Sequence, residues 1–226
     1  PVANITLLYL VIVFSLIPCF SDLIQEDKER WKIFYTDTAP LQTTSQWQVP
    51  FKTKNRTDLS TISIISVFGA PRLSYLKGHF HTGVDMIPKK NTGQLIYVYP
   101  MAAGVVCSIH LGDPHRTVVI KHKLANGEFL FTSYKHFHEI YVTNGQQVTP
   151  ETPIARLYTR SEAKAQGGNY DHLHLETRKK FDDYGVASWA TMTKGDLNLR
   201  FFDPQKFMKE NIKPPRNTAV GNLGLF

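Results

Sequence analysis

Short runs of β-branched and aromatic residues recur along the chain after residue 60, and they constrain its fold more than any other feature. Gly, Pro or Asn separates one run from the next. Such residues fit the pleated, half-buried surface of a strand, and many short strands at this spacing favour antiparallel pairing over βαβ units. The predicted strands cover residues 62–67, 95–99, 105–110, 117–122, 128–134, 140–142 and 172–176. We therefore predict a mainly β fold built on an antiparallel sheet.

Few segments have helical character, and turn signals are frequent. Only residues 161–165 and 204–210 are predicted as helices, and both are short enough to lie at the periphery of the sheet. Asn126-Gly127 lies between two predicted strands, and this dipeptide favours a hairpin turn because both of its residues tolerate positive φ. Asn144-Gly145 is a second turn signal.

Residues 1–21 carry no charged side chain, and the composition changes abruptly at Asp22. The apolar run at residues 5–20 has the length of a signal-peptide apolar region or a short membrane anchor. An internal buried helix or strand is the alternative. We expect residues 1–21 to be a signal peptide or membrane anchor. The protein would then be exported to the periplasm, the cell envelope or the extracellular space.

The length and the net charge of the chain limit its domain organisation and its possible binding partners. The 226 residues suit one domain, which we place at residues 61–200, between a lead-in segment at 22–60 and a C-terminal tail at 201–226. The net charge of +7 favours an anionic partner such as nucleic acid, an acidic membrane or a cell-wall polymer. No nucleic-acid-binding motif is visible, so we expect no nucleic-acid partner, and we expect a monomer. Two cysteines are too few for a four-cysteine zinc site, and Cys107 is predicted to pack inside a strand.

Nine histidines lie between residues 79 and 174, and two local patterns among them have chemical meaning. Residues 81–85 read His-Thr-Gly-Val-Asp. An imidazole nitrogen and a carboxylate oxygen are both good zinc ligands, and Gly83 would let a bent strand direct His81 and Asp85 at one point. Taken alone the pattern is more typical of a solvated turn.

The second pattern is His-Leu-His-Leu-Glu at residues 172–176. Alternate residues of a strand share a face, so His172, His174 and Glu176 would point one way while the two leucines enter the core. A half-exposed strand with incidental histidines is the alternative. Together the two patterns supply three protein ligands, His81, Asp85 and one histidine of the pair, as in catalytic zinc sites.

These motifs resemble those of the M23 family of zinc peptidases, the lysostaphin-like or LytM-like peptidoglycan endopeptidases. The family pattern is H-x-G-x-D, then Y-x-H-L, then H-L-H-F-E. Here it corresponds to residues 81–85, to Tyr-Lys-His-Phe at 134–137, and to residues 172–176. The resemblance covers residues 66–178. It implies a lysostaphin-like (duplicated hybrid motif) fold for residues 61–200.

The resemblance also implies a function and a site. It implies one Zn²⁺ per chain bound by His81, Asp85 and His174, with His136 and His172 as the catalytic residues. The implied substrates are peptidoglycan peptides, cut in their cross-links or stems. His172 would act as general base and then protonate the leaving amine, and His136 would hold the oxyanion or orient the substrate. A non-catalytic LytM-like module that binds the wall or activates other hydrolases is the alternative function.

Two segments depart from the family pattern, and several histidines lie outside it. Residues 158–171 are longer and more charged than the usual glycine-rich stretch, and residues 149–152 replace a glycine turn. Glu176 is a candidate partner for a ligand histidine. We expect His79 and His138 to lie at the cleft rim or on the surface. We expect His110 and His115 to be solvated. His122 is expected either to line the cleft or to pack in the core.

Overall fold

The computed structural model describes residues 40–73, 77–90, 95–181 and 191–214. The expected signal peptide or anchor at 1–21 lies outside these residues, as do residues 22–39 of the lead-in and 215–226 of the tail. None of the helices within the four described ranges is long and apolar enough to cross a membrane.

Antiparallel strands dominate the described residues. They are β1 (Ile62–Ser66), β2 (Val84–Pro88), β3 (Tyr97–Val98), β4 (Gly104–His110), β5 (Thr117–Lys123), β6 (Phe129–Lys135), β7 (Phe137–Ile140), β8 (Gln147–Val148), β9 (Ala155–Leu157), β10 (Leu173–Arg178) and β11 (Phe201–Phe202). The larger sheet has the order β1-β2-β10-β6-β5-β4-β8, with β11 paired to β10, and the smaller sheet has the order β3-β9-β7. The prediction of a mainly antiparallel β fold is confirmed.

The helices are short and few in the part of the chain that the structure describes. A 3-10 helix spans Leu59–Thr61, and the α-helices are α1 (Arg160–Ala165), α2 (Lys194–Arg200) and α3 (Pro204–Asn211). Helices α1 and α3 agree with the sequence prediction. Helix α2 was not predicted, because it contains Gly195 and buries only Leu197, which leaves too little apolar periodicity to detect. Its start is fixed by Thr193, whose side chain accepts from the amide of Asp196.

One predicted strand is misplaced, and β2, β8, β9 and β11 are absent from the predicted set. The strand predicted at residues 140–142 lies earlier, at Phe137–Ile140, where it pairs with β9 before the chain turns at Gly145. Strand β2 was missed because it follows a glycine and ends on Pro88, although its first three residues are buried. The predicted hairpin turn is confirmed, with Gly127 at φ 84° between β5 and β6.

One apolar core is shared by the two sheets. Val84, Leu173 and Leu175 of the larger sheet belong to the same buried cluster as Phe137 and Leu157 of the smaller one. The predicted alternation along β10 is confirmed for its leucines, both of which are fully buried. Burial of this strand fixes its register, because a shift by one residue would turn the leucines away from the core.

The pairing of β10 brings the sequence motifs together. On one side β10 pairs with β2, with His174 opposite Asp85, and on the other side it pairs with β6, with His174 opposite Lys135. The three motifs therefore lie on adjacent strands or at their ends, although 93 residues separate His81 from His174 in the chain.

Candidate metal centre and catalytic site

Three ligand atoms converge where β2 and β10 meet. His81 Nε2 lies 3.0 Å from Asp85 Oδ1 and 2.9 Å from His174 Nδ1, and the third side of the triangle, from His174 Nδ1 to Asp85 Oδ1, is 3.0 Å. All three residues are buried, and among the described residues they form the group that could hold a metal ion. The structure thus brings together the three residues that are predicted from the sequence as metal ligands.

The tautomer of His81 is set by a backbone carbonyl. Its Nδ1 lies 2.9 Å from the carbonyl oxygen of Val67, which can only accept, so Nδ1 carries the proton. The lone pair of neutral His81 is therefore on Nε2, inside the triangle. Burial lowers the pKa of His81, which favours this neutral form.

His174 is oriented in the same way by a carboxylate. Its Nε2 lies 3.1 Å from Glu176 Oε1, which also accepts from Lys135 Nζ at 2.7 Å and from the hydroxyl of Thr82 at 2.6 Å. Burial opposes the charge of Glu176, but Lys135 and the hydrogen bond from His174 hold the pKa of Glu176 well below its usual range. An ionised Glu176 accepts a hydrogen bond from the protonated Nε2 of His174, which directs the Nδ1 lone pair into the triangle.

Three electron-rich atoms therefore face one another at 2.9–3.0 Å. Such an arrangement requires a cation among them, either a proton or a metal ion. Donor atoms around tetrahedral zinc lie about 3.3 Å apart, given bond lengths of about 2.0–2.1 Å. The triangle is close to that size, and two imidazoles with one carboxylate are ligands that zinc prefers. The residues fit a zinc ion that keeps further positions open.

Arg72 holds the other oxygen of the aspartate. Its guanidinium donates to Asp85 Oδ2 at 2.8 Å, which leaves Oδ1 for the triangle. Burial of Asp85 disfavours the charged form, but the adjacent imidazoles of His172, His174 and His81 hold the pKa of the carboxyl well below its usual range. The carboxylate is thus ionised and oriented before any ligand arrives.

Gly83 permits the close approach of the two motif strands. A Cβ atom at this position would lie 2.2 Å from the carbonyl oxygen of Leu175 and 2.9 Å from His174 Nε2. Only a residue without a side chain fits between His81 and Asp85 at this distance. The glycine of the first motif is therefore a packing requirement of the site.

His136 lies between β6 and β7 with a backbone φ of 72°. This left-handed conformation is uncommon for a residue with a side chain, and such strain concentrates at functional sites. His136 Nδ1 lies 3.1 Å from the carbonyl oxygen of Pro114, so Nδ1 carries the proton and Nε2 the lone pair. Burial, with the neighbouring histidines, lowers the pKa of His136 well below its ordinary value, which keeps the ring neutral.

His172 joins the three-ligand cluster to His136. Its Nε2 lies 3.5 Å from Asp85 Oδ1, and its ring centroid lies 5.0 Å from that of His136. The ring of His136 is also 6.0 Å from that of His174. The two histidines that the resemblance implies to be catalytic thus lie beside the three residues that it implies to be ligands.

The segment that departs from the family pattern borders this site. Within it, α1 begins with a capping box between Thr159 and Glu162. Beyond α1, the ring of Tyr170 packs 5.2 Å from His136 and 5.7 Å from His115. The longer segment therefore places an aromatic ring, that of Tyr170, next to a candidate catalytic histidine.

The remaining histidines differ in environment. His122 is packed in the core, with its ring nitrogens bonded to the Ala103 carbonyl and to Thr132, so the core alternative holds. The prediction that His110 is solvated is wrong, because it is buried with Nδ1 at 3.1 Å from the carbonyl of His115. His115 is exposed, as predicted. His138 and His79 are partly buried.

The residues that orient the candidate ligands were not predicted from the sequence. Arg72 lies in a loop 13 residues before Asp85, and no local pattern marks it. Thr82 and Lys135 lie inside the recognised motifs, and the pairing of Lys135 with His174 across the sheet could have identified Lys135 as a partner of Glu176. The carbonyl groups that fix the histidine tautomers have no sequence signature.

The comparison with known families agrees with this geometry. The model of peptidase family M23 matches residues 79–186, a range that contains the three candidate ligands and both candidate catalytic histidines. Over this range, which is just under half of the chain, the sequence is similar to peptidase family M23. No curated protein matches the chain.

Several solved structures resemble this chain at low sequence identity. One is the antimicrobial peptidase lysostaphin from Staphylococcus simulans, at 17% identity and a TM-score of 0.49, covering 81% of this chain and 61% of that one. The catalytic domain of the same peptidase has 19% identity and a TM-score of 0.45, covering 67% and 95%. A structure of the SpoIIIAH and SpoIIQ complex has 19% identity and a TM-score of 0.46, covering 72% and 99%.

Proposed function

We propose that the chain is an exported zinc endopeptidase that hydrolyses peptide bonds in the cross-links or stems of peptidoglycan. The observation that carries this proposal is the triangle of His81 Nε2, Asp85 Oδ1 and His174 Nδ1, with sides of 2.9–3.0 Å, beside two further histidines. The match of residues 79–186 to peptidase family M23 supports it. In this proposal residues 61–200 form the peptidase domain and residues 1–21 direct export.

The three ligand residues would hold one zinc ion through His81 Nε2, Asp85 Oδ1 and His174 Nδ1. Zinc supplies Lewis acidity and lowers the pKa of bound water to about 7. The chain prepares the site by burial and by fixing both histidine tautomers. Since a proton must leave the triangle when a metal enters, binding will be weaker at acidic pH.

His172 is placed to move a proton at the scissile bond. It is partly exposed and lies on the ligand side of β10, next to Asp85. A substrate carbonyl bound there would come within reach of its imidazole. We assign His172 the role of general base, which then protonates the leaving amine.

His136 contributes as a hydrogen-bond acceptor. Because Nδ1 donates to the Pro114 carbonyl, the neutral ring presents only a lone pair at Nε2. In this form it cannot donate to an oxyanion. Of the two roles considered for His136, holding the oxyanion and orienting the substrate, only the second remains. We assign His136 to orienting the substrate or the attacking water by accepting a hydrogen bond from it.

The complete residue set favours catalysis over the alternative of a non-catalytic wall-binding module. A module that has lost its activity is expected to lack a ligand or a catalytic histidine, and this chain has all five residues. The charge of +7 suits an anionic wall polymer and supports peptidoglycan as the substrate.

Digestion of defined muropeptides, followed by mass analysis of the products, tests the proposal. Zinc-loaded protein is expected to release new amino groups, and chelator-treated protein is not. His172→Ala is expected to reduce the rate by about 10²–10⁴-fold, the usual contribution of a general acid or base. His138→Gln, a histidine outside the five, is the matched control and should retain activity. Zinc-loaded protein that is inactive on every muropeptide and intact sacculus would refute the proposal.

A further inference from the structure

A carboxylate on the loop between β4 and β5 is held from two sides. Asp113 accepts a hydrogen bond from the hydroxyl of Tyr158. It also accepts one from Arg116 Nη2, at 2.9 Å from Oδ2, and Arg116 Nε lies 2.8 Å from Oδ1 as an ion-pair contact. A guanidinium that contacts both oxygens restricts the direction of the carboxylate as well as its position. Asp113 therefore ties its loop to the start of the atypical segment.

The next residue in that loop carries the carbonyl that bonds His136. Pro114 O accepts from His136 Nδ1 at 3.1 Å. Arg116 adds two contacts on the far side of His136, since its carbonyl accepts from the amide of Phe137 at 3.3 Å and its guanidinium donates to the carbonyl of His138. The loop is thus attached to His136 and to the two residues that follow it.

The strained backbone of His136 makes this attachment consequential. At φ 72° the residue is outside its preferred region, and such a conformation persists only where the surroundings determine it. Tyr158 is suited to that purpose because it is 3% exposed and its ring packs edge-on against His138. Burial and the bond to Asp113 raise the pKa of the Tyr158 hydroxyl, so it stays a donor.

We infer that Tyr158 and Asp113 are positioning residues for His136: they hold the Pro114 carbonyl in place so that His136 keeps its proton on Nδ1 and its lone pair on Nε2. This inference rests on the proposed function for the catalytic role of His136. It assigns a role to Tyr158, the first residue of the atypical segment 158–171, that the sequence of the segment does not indicate. Neither Tyr158 nor Asp113 contacts the substrate in this account.

The test uses the zinc-loaded full chain and two readouts. The first is the nitrogen-15 NMR spectrum of the histidine side chains, in which the His136 signals are assigned by their loss in His136→Asn. We expect Nδ1 to be protonated in the wild type and the two tautomers to be mixed in Tyr158→Phe. The second is muropeptide hydrolysis, in which Tyr158→Phe is expected to lower kcat about tenfold with KM within about twofold, the cost of about 1.4 kcal/mol in the barrier.

Matched variants separate positioning from a general loss of structure. Tyr141→Phe removes a hydroxyl that donates to Glu139 at 2.9 Å, away from His136, and should leave both readouts unchanged. Asp113→Asn keeps an acceptor for Tyr158 and should retain more of kcat than Asp113→Ala. If Tyr158→Phe fails to fold, the two Asp113 variants decide the same question.

Two results would overturn the inference. One is a Tyr158→Phe or Asp113→Ala protein that keeps the Nδ1 tautomer of His136 and the wild-type kcat. The other is a loss of kcat with the tautomer unchanged. If the wild-type protein hydrolyses nothing, the proposed function fails, and the NMR readout alone still decides whether Tyr158 and Asp113 set the tautomer.

Discussion

Adding one methyl group at Gly83 is expected to disrupt the metal site and the sheet together. In Gly83→Ala the new Cβ would lie 2.2 Å from the carbonyl oxygen of Leu175. A carbon and a carbonyl oxygen normally approach to about 3.3 Å, so the strands must separate by about 1 Å. The clash is with backbone of β10, which cannot rotate away as a side chain would.

The size of both effects can be worked out from this displacement. Overpacking typically costs 1–3 kcal/mol, and a backbone clash belongs at the upper end, so we expect about 3 kcal/mol of lost stability. The ligand triangle joins His174 on β10 to His81 and Asp85 at 2.9–3.0 Å, and a 1 Å shift is about half of a zinc–nitrogen bond. We expect zinc affinity to fall by about 100-fold or more.

Urea unfolding and competition with a chromophoric zinc chelator measure the two effects. The control is Gly195→Ala in α2, where the nearest atom to a new Cβ is 3.5 Å away, and alanine should stabilise the helix by up to about 1 kcal/mol without altering zinc affinity. If Gly83→Ala binds zinc within twofold of the wild type and unfolds at the same urea concentration, the reasoning is wrong.

Two further predictions concern buried ionisable groups. Glu176→Gln removes the charge that orients His174 through a 3.1 Å bond, so zinc affinity should fall about 10–100-fold by chelator competition; an unchanged affinity would contradict that role. Burial lowers the pKa of His122 to about 4 from 6.5, so the unfolded chain binds a proton in this window that the folded chain does not. Stability should therefore fall by up to about 3 kcal/mol as the pH drops from 6.5 to 4. His122→Gln should lack this part of the pH dependence in urea unfolding, and identical profiles would refute the assignment.

The convergence of the motif residues was more predictable from the sequence than the individual elements around them. The alternation of histidine and leucine at residues 172–176 reports a strand with one buried face, because the period of two follows directly from strand geometry. Strand β2 and helix α2 escaped prediction because tertiary packing, and not local propensity, determines them. Arg72 could not be predicted, since its partner Asp85 is reached only after the chain folds back on itself.

The burial of His110 was also not predictable from its local sequence. It flanks a loop with turn residues, which favours solvent exposure, yet β4 extends through it and buries the ring. The tautomers of His81 and His136 depend on carbonyl groups from residues 14 and 22 positions away. The motifs thus identify which residues converge, and the fold alone determines how each is protonated and oriented.

The metal content of the purified protein tests the central claim most directly. After dialysis against trace zinc at pH 7.5, mass spectrometry of the metal should give one zinc per wild-type chain. Asp85→Ala should give far less, because it removes one corner of the ligand triangle. A wild-type chain without stoichiometric zinc, or an Asp85→Ala chain that retains it, would contradict the assignment of His81, Asp85 and His174 as the metal site.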